Sequence, residues 1–463
     1  MGPETRPDAM PHGLVSSSMS SSLSAGQTLR VLSTGGHCTV ETLLGEGGQG
    51  AVYKVAFGGR SFALKWYNDR VLHYDKRLRL RLQTAIDRGP PSPRFLWPFS
   101  LVTLRDGSRL GYLMPLRDGG LKEMYDILNQ SSAPSFRVLA TMCCLLAHEL
   151  HALHAKGFAY QDLNAGNLFY DSETGQIAIC DNDNVDIDGA PSVMGGVWEY
   201  QAPEIVLRQT GPTRATDLHS LAVMLFRILH IGHPLVGMRS RQFSNLAEPA
   251  AINSLYGTDP RFVFDPHDTS NRPIPDEQSL LSAYWKIYPA FVRDLFTRAF
   301  TEGLREPQHG RVQETEWRLA MGRLRDSVVT CSCGAENFYD RQRLAGGAAR
   351  TFPCWYCGAE LAGIPARIGI HSINDPPQRP PQHVVVLEPG ARLLAHQCQG
   401  GPYNFEAVTA EVQGPPASLS NTSKTQWTCK YNGEVSLVAP GSRVVLKDGM
   451  QIHFGATRGE VRM

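Results

Sequence analysis

Y-Q-D-L-N-A-G-N-L-F-Y, from Tyr160 to Tyr170, and I-C-D-N-D, from Ile179 to Asp183, are the two strings on which the fold turns. Asp162 and Asn167 lie five positions apart, and Asp181 follows on what reads as a strand end. Two carboxylates and one carboxamide at this spacing suit a metal–phosphate site. One aspartate can hold a hydroxyl, while the asparagine and the second aspartate offer the oxygen donors that a hard divalent cation prefers. Taken alone, so short a loop could be a coincidence in a strand–loop–strand unit, so its neighbours must decide.

The chain has 463 residues, which suits two to four domains. Hydrophobic residues make up 42% and charged residues 19%, and the net charge is +1, so no global field draws the chain to nucleic acid or acidic lipid. Its longest apolar run, Leu221 to Ile231, is broken by Arg227 and is too short to span a bilayer. There is no basic region followed by an apolar core at the N-terminus, so no secretory signal is expected. Four of the ten cysteines are clustered by spacing and the rest lie in apolar or strand-like contexts. That usage suits a reducing compartment with one metal site, and a cytoplasmic location.

Residues 1–27 are poor in apolar side chains, contain the run S-S-S-M-S-S-S-L-S from Ser16, and read as a disordered leader. β-rich runs follow: Thr28–Ser33 and His37–Leu44 around Gly35-Gly36, then Ala51–Phe57 and Ser61–Trp66 around Gly58-Gly59. Asp75–Asp87 predicts a basic helix, and strands resume at Phe99–Leu104 and Arg109–Met114. Beyond Pro134 the period becomes helical, over Phe136–Lys156, Asp217–His230, Leu280–Glu302 and Gln313–Arg325, with an irregular polar stretch from Gly237 to Gln278. After Ile364 short strand-like runs alternate with Gly and Pro turns to the end.

Four further motifs surround the opening strings. L-G-E-G-G-Q-G-A-V-Y-K spans Leu44 to Lys54, with Gly45, Gly47 and Gly50 in G-x-G-x-x-G and Val52 after them. It sits in a hairpin, which argues against a dinucleotide-binding fold, where the motif joins a strand to a helix. F-A-L-K ends at Lys65, G-V-W-E-Y-Q-A-P-E runs from Gly196 to Glu204, and D-L-H-S-L-A-V starts at Asp217. In this order and at this spacing, the region from about residue 39 to residue 327 resembles a eukaryotic-type Ser/Thr protein kinase. The resemblance implies an α+β, two-lobed kinase fold, with an N-lobe over 28–115 and a C-lobe over 116–327. It implies ATP and Mg²⁺ or Mn²⁺ as cofactors, bound by Gly45, Gly47, Gly50, Val52 and Lys65. In G-Y-L-M-P-L-R-D-G-G from Gly111, Met114 would be the gatekeeper and Pro115 to Arg117, with Leu116, the adenine-facing hinge. Asp162 would orient or deprotonate the substrate hydroxyl, and Asn167 and Asp181 would hold magnesium. Asp217 would be caught by backbone amides, and Arg311 would pair with Glu204.

The departures from that family are equally informative. Between Ala51 and Leu121 there is no glutamate, so the usual helix partner of Lys65 is missing: either Gln83 or Asp87 substitutes, or the lysine is positioned otherwise. Tyr160-Gln161 replaces His-Arg, which removes the usual anchor of a phosphorylated activation loop. Ser192 is the one hydroxyl in the short segment before Gly196, so activity without loop phosphorylation is expected. Asn164 replaces the lysine that contacts the transferring phosphate, and Asp183 replaces a glycine, making the site more negative. A catalytically weak pseudokinase acting as a nucleotide-binding signalling scaffold is the rival class. G-P-P-S-P-R-F-L-W-P from Gly89, D-N-D-N-V from Asp181 and S-N-R-P from Ser270 resemble an atypical, tellurite-resistance-associated group of bacterial kinases. That likeness implies phosphorylation triads with a PP2C-type phosphatase and a von Willebrand A protein as partners.

Cys331 and Cys333, then Cys354 and Cys357, give C-x-C and C-x-x-C about twenty residues apart. Two close thiolate pairs predict a structural Zn²⁺ in a zinc-ribbon-like module over 328–364. Four unrelated thiols and a redox C-x-x-C are the alternatives. Glu336, Asp340 and Glu360 make the module far from basic, so a protein-facing or purely structural knuckle is expected and no nucleic acid. With no apolar run long enough to span a bilayer, no membrane partner is expected either. Residues 365–463, with L-S-N-T-S from Leu419, Trp427, V-A-P-G-S-R-V-V-L-K-D-G from Val438 and I-H-F-G from Ile452, resemble the back half of a forkhead-associated domain. That implies an all-β sandwich that binds phosphothreonine peptides, with Asn421 beside the binding loops and Arg392 and Ser420 as loose candidates for phosphate contact.

Overall fold

The computed structural model describes residues 22–191, 196–340, 351–361, 364–376 and 378–463. Ser192 and most of the serine run of the leader lie outside the described residues. The chain divides into two compact units, Met1–Gln83 with Pro98–Leu116, and Thr84–Trp97 with Arg117–Met463.

The first unit is a closed antiparallel barrel. Its strands are β1 (Thr28–Val31), β2 (His37–Gly47), β3 (Gly50–Phe57), β4 (Arg60–Tyr67), β5 (Ser100–Thr103) and β6 (Leu110–Met114), in the order β1-β2-β3-β4-β6-β5. Pairing of Arg30 with Thr103 and of Val31 with Val102 joins β1 to β5 and closes the ring. Gly58 and Gly59 take φ of +56° and +74°, the left-handed pair that a tight hairpin between β3 and β4 requires. The period-2 alternation turns Tyr53, Val55, Leu64 and Trp66 into one core with Leu29, Val40, Val102 and Leu113. Leu23 packs against that core and its N–H donates to the Tyr53 hydroxyl at 3.0 Å. Leu23 and its described neighbours, inside the stretch read as leader, are therefore part of this unit.

The helix expected over Asp75–Asp87 is α2 (Leu78–Arg88), which starts three residues late, and a short helix not expected from the sequence, α1 (Asp69–Tyr74), precedes it. Asp75 is the break. Its carboxylate accepts from the Arg77 N–H at 3.1 Å and holds the Arg81 guanidinium at 2.7 Å. Such local side-chain bonds compete with the helical ladder.

The second unit carries α3 (Met124–Leu128), α4 (Phe136–Ala155), α5 (Pro203–Val206), α6 (Arg214–His230), α7 (Pro249–Ile252), α8 (Ser279–Ile287), α9 (Ala290–Ala299), α10 (Glu302–Arg305) and α11 (Glu314–Asp326). Pro289, which cannot donate to a helical ladder, splits the expected Leu280–Glu302 helix into α8 and α9. α6 starts three residues before Asp217 because Thr213 and Thr216 form a reciprocal capping box. Its Leu221, Val223, Met224, Leu225 and Phe226 are fully buried, each contributing about 1.5–3 kcal/mol. α4 has the length and composition to cross a membrane, with a mean hydropathy of 1.3, but 67% of that window is buried inside the protein. Its Leu139, Met142, Leu146, Leu150 and Leu153 face the large core.

Two small ladders position the loops of interest. β8 (Phe158–Ala159) pairs with β11 (Asp186–Ile187), and β9 (Leu168–Tyr170) lies between β10 (Ile177–Ile179) and β7 (Lys122–Glu123). Residues 160–167 thus connect β8 to β9, and residues 180–185 connect β10 to β11.

The remaining chain is β-rich. β12 (Val328–Thr330) pairs with β13 (Glu336–Phe338), and β14 (Phe352–Pro353) with β15 (Glu360–Leu361). A six-stranded sheet combines β16 (Arg367–Ser372), β17 (His383–Val386), β21 (Trp427–Tyr431), β22 (Glu434–Val438), β24 (Gln451–His453) and β25 (Thr457–Arg462). A four-stranded sheet combines β18 (Arg392–Leu394), β19 (Val408–Gln413), β20 (Ser418–Asn421) and β23 (Arg443–Val445). Ile370, Leu393, Ala410, Leu419, Trp427 and Ile452 from both sheets share one core. The large helical core does not stop at α11: Phe338, Leu394 and Phe405 belong to it.

Candidate active site

In the first unit, β2 and β3 carry the glycine motif. Their ladder runs to a Gly47–Gly50 pair, so the turn is closed by its own strands. Only Gly50 is required sterically: a Cβ there would sit 2.0 Å from the Trp66 carbonyl oxygen, whereas Gly45 and Gly47 face open space. Val52 stands opposite Lys65 in the β3–β4 register. Lys65 is 4% exposed, and its Nζ donates to Gln49 Oε1 at 2.7 Å. Gln83 and Asp87, the expected partners, are both exposed on α2. Met114 is buried at the end of β6, and Leu116 is 38% exposed just beyond it. No sequence signal marks Gln49, since a glutamine in a glycine-rich turn reads as solvated.

In the second unit, Asp217 on α6 anchors the loop after β8. Its carboxylate accepts from the Tyr160 N–H at 2.5 Å and the Gln161 N–H at 3.0 Å. Gln161 is held at φ +73°, a left-handed conformation that costs a non-glycine residue about 1–3 kcal/mol. Behind Asp217 lies a charge chain, buried through His154 and Glu314 and ending on the exposed Arg214. His154 Nε2 meets Asp217 Oδ2 at 3.0 Å, its Nδ1 is bonded to Glu314, and Arg214 grips Glu314 at 3.0 and 3.1 Å. Burial alone would pull the His154 ring down. The hydrogen bonds and charges of Asp217 and Glu314 outweigh it and raise its pKa to about 9. Burial pushes the other way on Glu314, but the bonds from His154 and Arg214 hold it at about 2.

Asp162 follows the anchored amides. Its Oδ1 accepts from Asn164 Nδ2 at 2.8 Å and from the Val197 N–H at 3.2 Å, and Oδ2 from Asn184 Nδ2 at 3.3 Å. Burial nevertheless raises its carboxyl above the ordinary carboxylate range, and the Asp181 charge adds to the effect. Asn164 does a second job: its Oδ1 accepts from Gly166 N and caps the 3-10 turn Ala165–Asn167. Where a phosphate-contacting lysine was expected by family likeness, this chain has an amide that orients the neighbouring aspartate. Asn167 Nδ2 donates to the Asp162 carbonyl at 2.9 Å, which leaves Oδ1 as the atom it can offer a cation.

Asp181 adopts φ +48°, ψ +44°, and begins the 3-10 turn Asn182–Asn184. Asp183 is buried in that turn. The Oδ1 atoms of Asn182 and Asn184 are buried with no hydrogen-bond partner. Oxygen donors from Asn167 and Asp181, beside an unpaired buried carbonyl, fit a hard divalent cation. Arg311 and Glu204 are brought together in a bidentate pair, both bonds at 2.8 Å, and Arg311 also donates to the Ala215 carbonyl.

The four clustered cysteines also converge, with their sulfurs within 4.8 Å of one another. Cys331 and Cys357 are 3.7 Å apart, and Cys333 and Cys354 3.8 Å. A tetrahedron of sulfurs about 2.3 Å from a central zinc has edges of about 3.8 Å, whereas a disulfide needs about 2.05 Å. Asn337 Nδ2 points at Cys354 Sγ from 3.5 Å, an outer-shell contact of the kind that steadies a thiolate ligand. Asn421 is buried and spends its amide on the Thr425 and Val438 carbonyls. Arg392 and Ser420 lie on β18 and β20, apart in register by way of Glu411.

Residues 38–279, just over half of the chain, match the protein kinase domain family. Among curated proteins, the chain is similar to the DNA damage-responsive serine/threonine-protein kinase RqkA of Deinococcus radiodurans, 28% identical over 395 residues, which is 81% of this chain and 52% of that protein. It is 26% identical over 256 residues to human ribosomal protein S6 kinase alpha-2, covering 53% of this chain and 32% of that one. Over 103 residues it is 32% identical to the serine/threonine-protein kinase SCH9 of Candida albicans, covering 21% and 13%. The chain thus spans about half the length of the Deinococcus relative and less of the others. With a glycine-rich hairpin, a buried strand lysine and an aspartate-anchored loop in the matched region, the chain belongs to the protein kinase domain family.

Proposed function

We propose that this protein is an ATP-dependent serine/threonine protein kinase, transferring the terminal phosphate of ATP to a hydroxyl of a partner protein. The observation that carries the proposal is the Asp162 environment, a carboxylate oriented by three donors while burial and Asp181 raise its proton affinity. A group so placed can fix a substrate hydroxyl and take its proton as the oxygen–phosphorus bond forms. Gly45, Gly47, Gly50, Val52, Lys65, Met114 and Leu116 would bind the nucleotide, and Asn167 and Asp181 would hold Mg²⁺ or Mn²⁺. The cation, when bound, would offset charge on the phosphates. Asp217 and the Glu204–Arg311 pair position the loops around these groups. Labelled-ATP transfer to candidate partners, with phosphosite mapping, tests the reading. Asp162→Ala and Asp181→Ala should each abolish transfer. Label incorporation that persists in both variants would refute it, and nucleotide binding without transfer by the parent protein would favour the scaffold alternative.

The modular reading is part of the same proposal: kinase region 28–327, a zinc-ribbon-like module over 328–364 holding structural Zn²⁺ on Cys331, Cys333, Cys354 and Cys357, and a forkhead-associated-like recruitment region over 365–463. The sulfur spacing supports the zinc assignment. The use of Asn421 to tie down its own loop favours recruitment through a surface other than phosphothreonine capture. A von Willebrand A protein and a PP2C-type phosphatase are the partners to test first, on the motif likeness described above.

A further inference from the structure

Lys65 is met from within the glycine-rich turn. Gln49, the residue before Gly50, gives its Oε1 to Lys65 Nζ at 2.7 Å. Asn68, just past the end of β4, holds the same turn from a second side. Its backbone N–H donates to the Gln49 carbonyl at 3.0 Å, and its Nδ2 donates to the Gly48 carbonyl at 2.9 Å. The Asn68 Oδ1 meanwhile caps α1 by accepting from the Val71 N–H. The β2–β3 ladder already closes the turn, so these three bonds are not needed to form it. They fix where its tip lies, against the lysine. An ammonium offers donors only, and a nearly buried one is reached through few directions. The carboxamide oxygen takes one of them, with a neutral acceptor where a phosphate oxygen would make a stronger, charge-assisted bond.

We propose that Gln49 is an internal stand-in for phosphate: with Asn68 it latches the glycine-rich turn onto Lys65, and the phosphates of a nucleotide reach Lys65 by displacing the Gln49 carboxamide. Gln49 is thus a positioning residue that sets affinity for the phosphates and not for the base. The inference rests on the nucleotide reading above.

The test is calorimetric binding of ATP and of adenosine, with Mg²⁺, to the full chain and three variants, without any need for turnover. Gln49→Ala removes the competitor and should tighten ATP binding about tenfold, the equivalent of about 1.4 kcal/mol. Gln49→Glu puts a carboxylate on Lys65 and should weaken ATP binding by at least about tenfold. Asn68→Asp keeps the cap acceptor but loses the donor to Gly48, and should tighten ATP binding by about threefold. Adenosine affinity should stay constant throughout. Unchanged or weaker ATP binding in Gln49→Ala overturns the latch, as does adenosine affinity that moves in parallel with that of ATP. Failure of the parent protein and all variants to bind either ligand overturns the nucleotide reading itself, and the latch with it.

Discussion

Replacing Glu314 by glutamine should change how the loop before Asp162 responds to pH. Glu314 and Asp217 flank His154, and the three side chains are 0%, 2% and 1% exposed. The His154 pKa rises from 6.5 to about 9, and a difference of about 2.5 units at 1.36 kcal/mol per unit is about 3 kcal/mol. Because the folded pKa is the higher one, this stabilisation is fully present below pH 6.5 and is lost as the pH rises through about 9. Glu314 has its pKa lowered from 4.5 to about 2, so its contribution is present above pH 4.5 and lost as the pH falls through about 2. The two shifts contain the same His154–Glu314 attraction and do not add. Glu314→Gln keeps the shape, removes one of the two charges holding the imidazolium, and leaves Arg214 with a neutral partner. Breaking a buried pair in this way costs about 3–5 kcal/mol. The readout is hydrogen exchange at the Tyr160 and Gln161 amides, which Asp217 binds, corrected for intrinsic rates and followed with the thermal midpoint from pH 6 to 9.5. In the parent protein, protection should decline between pH 6.5 and 9. In Glu314→Gln it should be low at neutral pH and decline from a lower pH. Flat protection in the parent across that range, or superimposable profiles for the two proteins, would refute the reasoning.

Gly50→Ala forces a Cβ into the Trp66 carbonyl and should cost about 1–3 kcal/mol with loss of ATP binding, read by thermal melting and calorimetry. Cys354→Ser should lower bound zinc from about one ion per chain to far less by elemental analysis, and chelation of the parent should lower its melting temperature. Asn164→Lys would restore the family residue but remove the amide from Asp162 and the cap on the 3-10 turn, so transfer activity should fall by about tenfold or more. Arg311→Lys keeps the charge and loses the bidentate fork on Glu204. A loss of about 1–3 kcal/mol in the thermal transition is expected.

Chain-local patterns were easiest to read. The two glycine hairpins, the core face of α4 and the Cys331/Cys333 with Cys354/Cys357 spacing all rest on period, turn chemistry or short separation. Breaks were harder. Pro289 is legible as a helix stop inside Leu280–Glu302, but the late start of α2 comes from the Asp75 carboxylate, which meets Arg77 N–H and Arg81 between α1 and α2, and that needs coordinates. The site divides in the same way. Asp162, Asn167 and Asp181 stand out because their types and spacing carry chemistry. Gln49 on Lys65, Asn164 on Asp162 and the Arg214–Glu314–His154–Asp217 chain join residues up to 160 positions apart or use side chains with no motif of their own.

The helical core of the second unit runs on through Phe338, Leu394 and Phe405 without regard to the module boundaries read at 328 and 365. Phe136 at the start of α4 touches Phe338 and Trp355 as well as Tyr284 and Tyr288. A chain severed after residue 327 would therefore bare a strip of aromatic rings on the helical side, and the excised remainder would carry the matching strip into solvent. Neither piece would be a fair surrogate for the whole in solubility, in phosphate transfer or in partner capture. Where the polypeptide is cut would then decide what is measured as much as which side chain is changed.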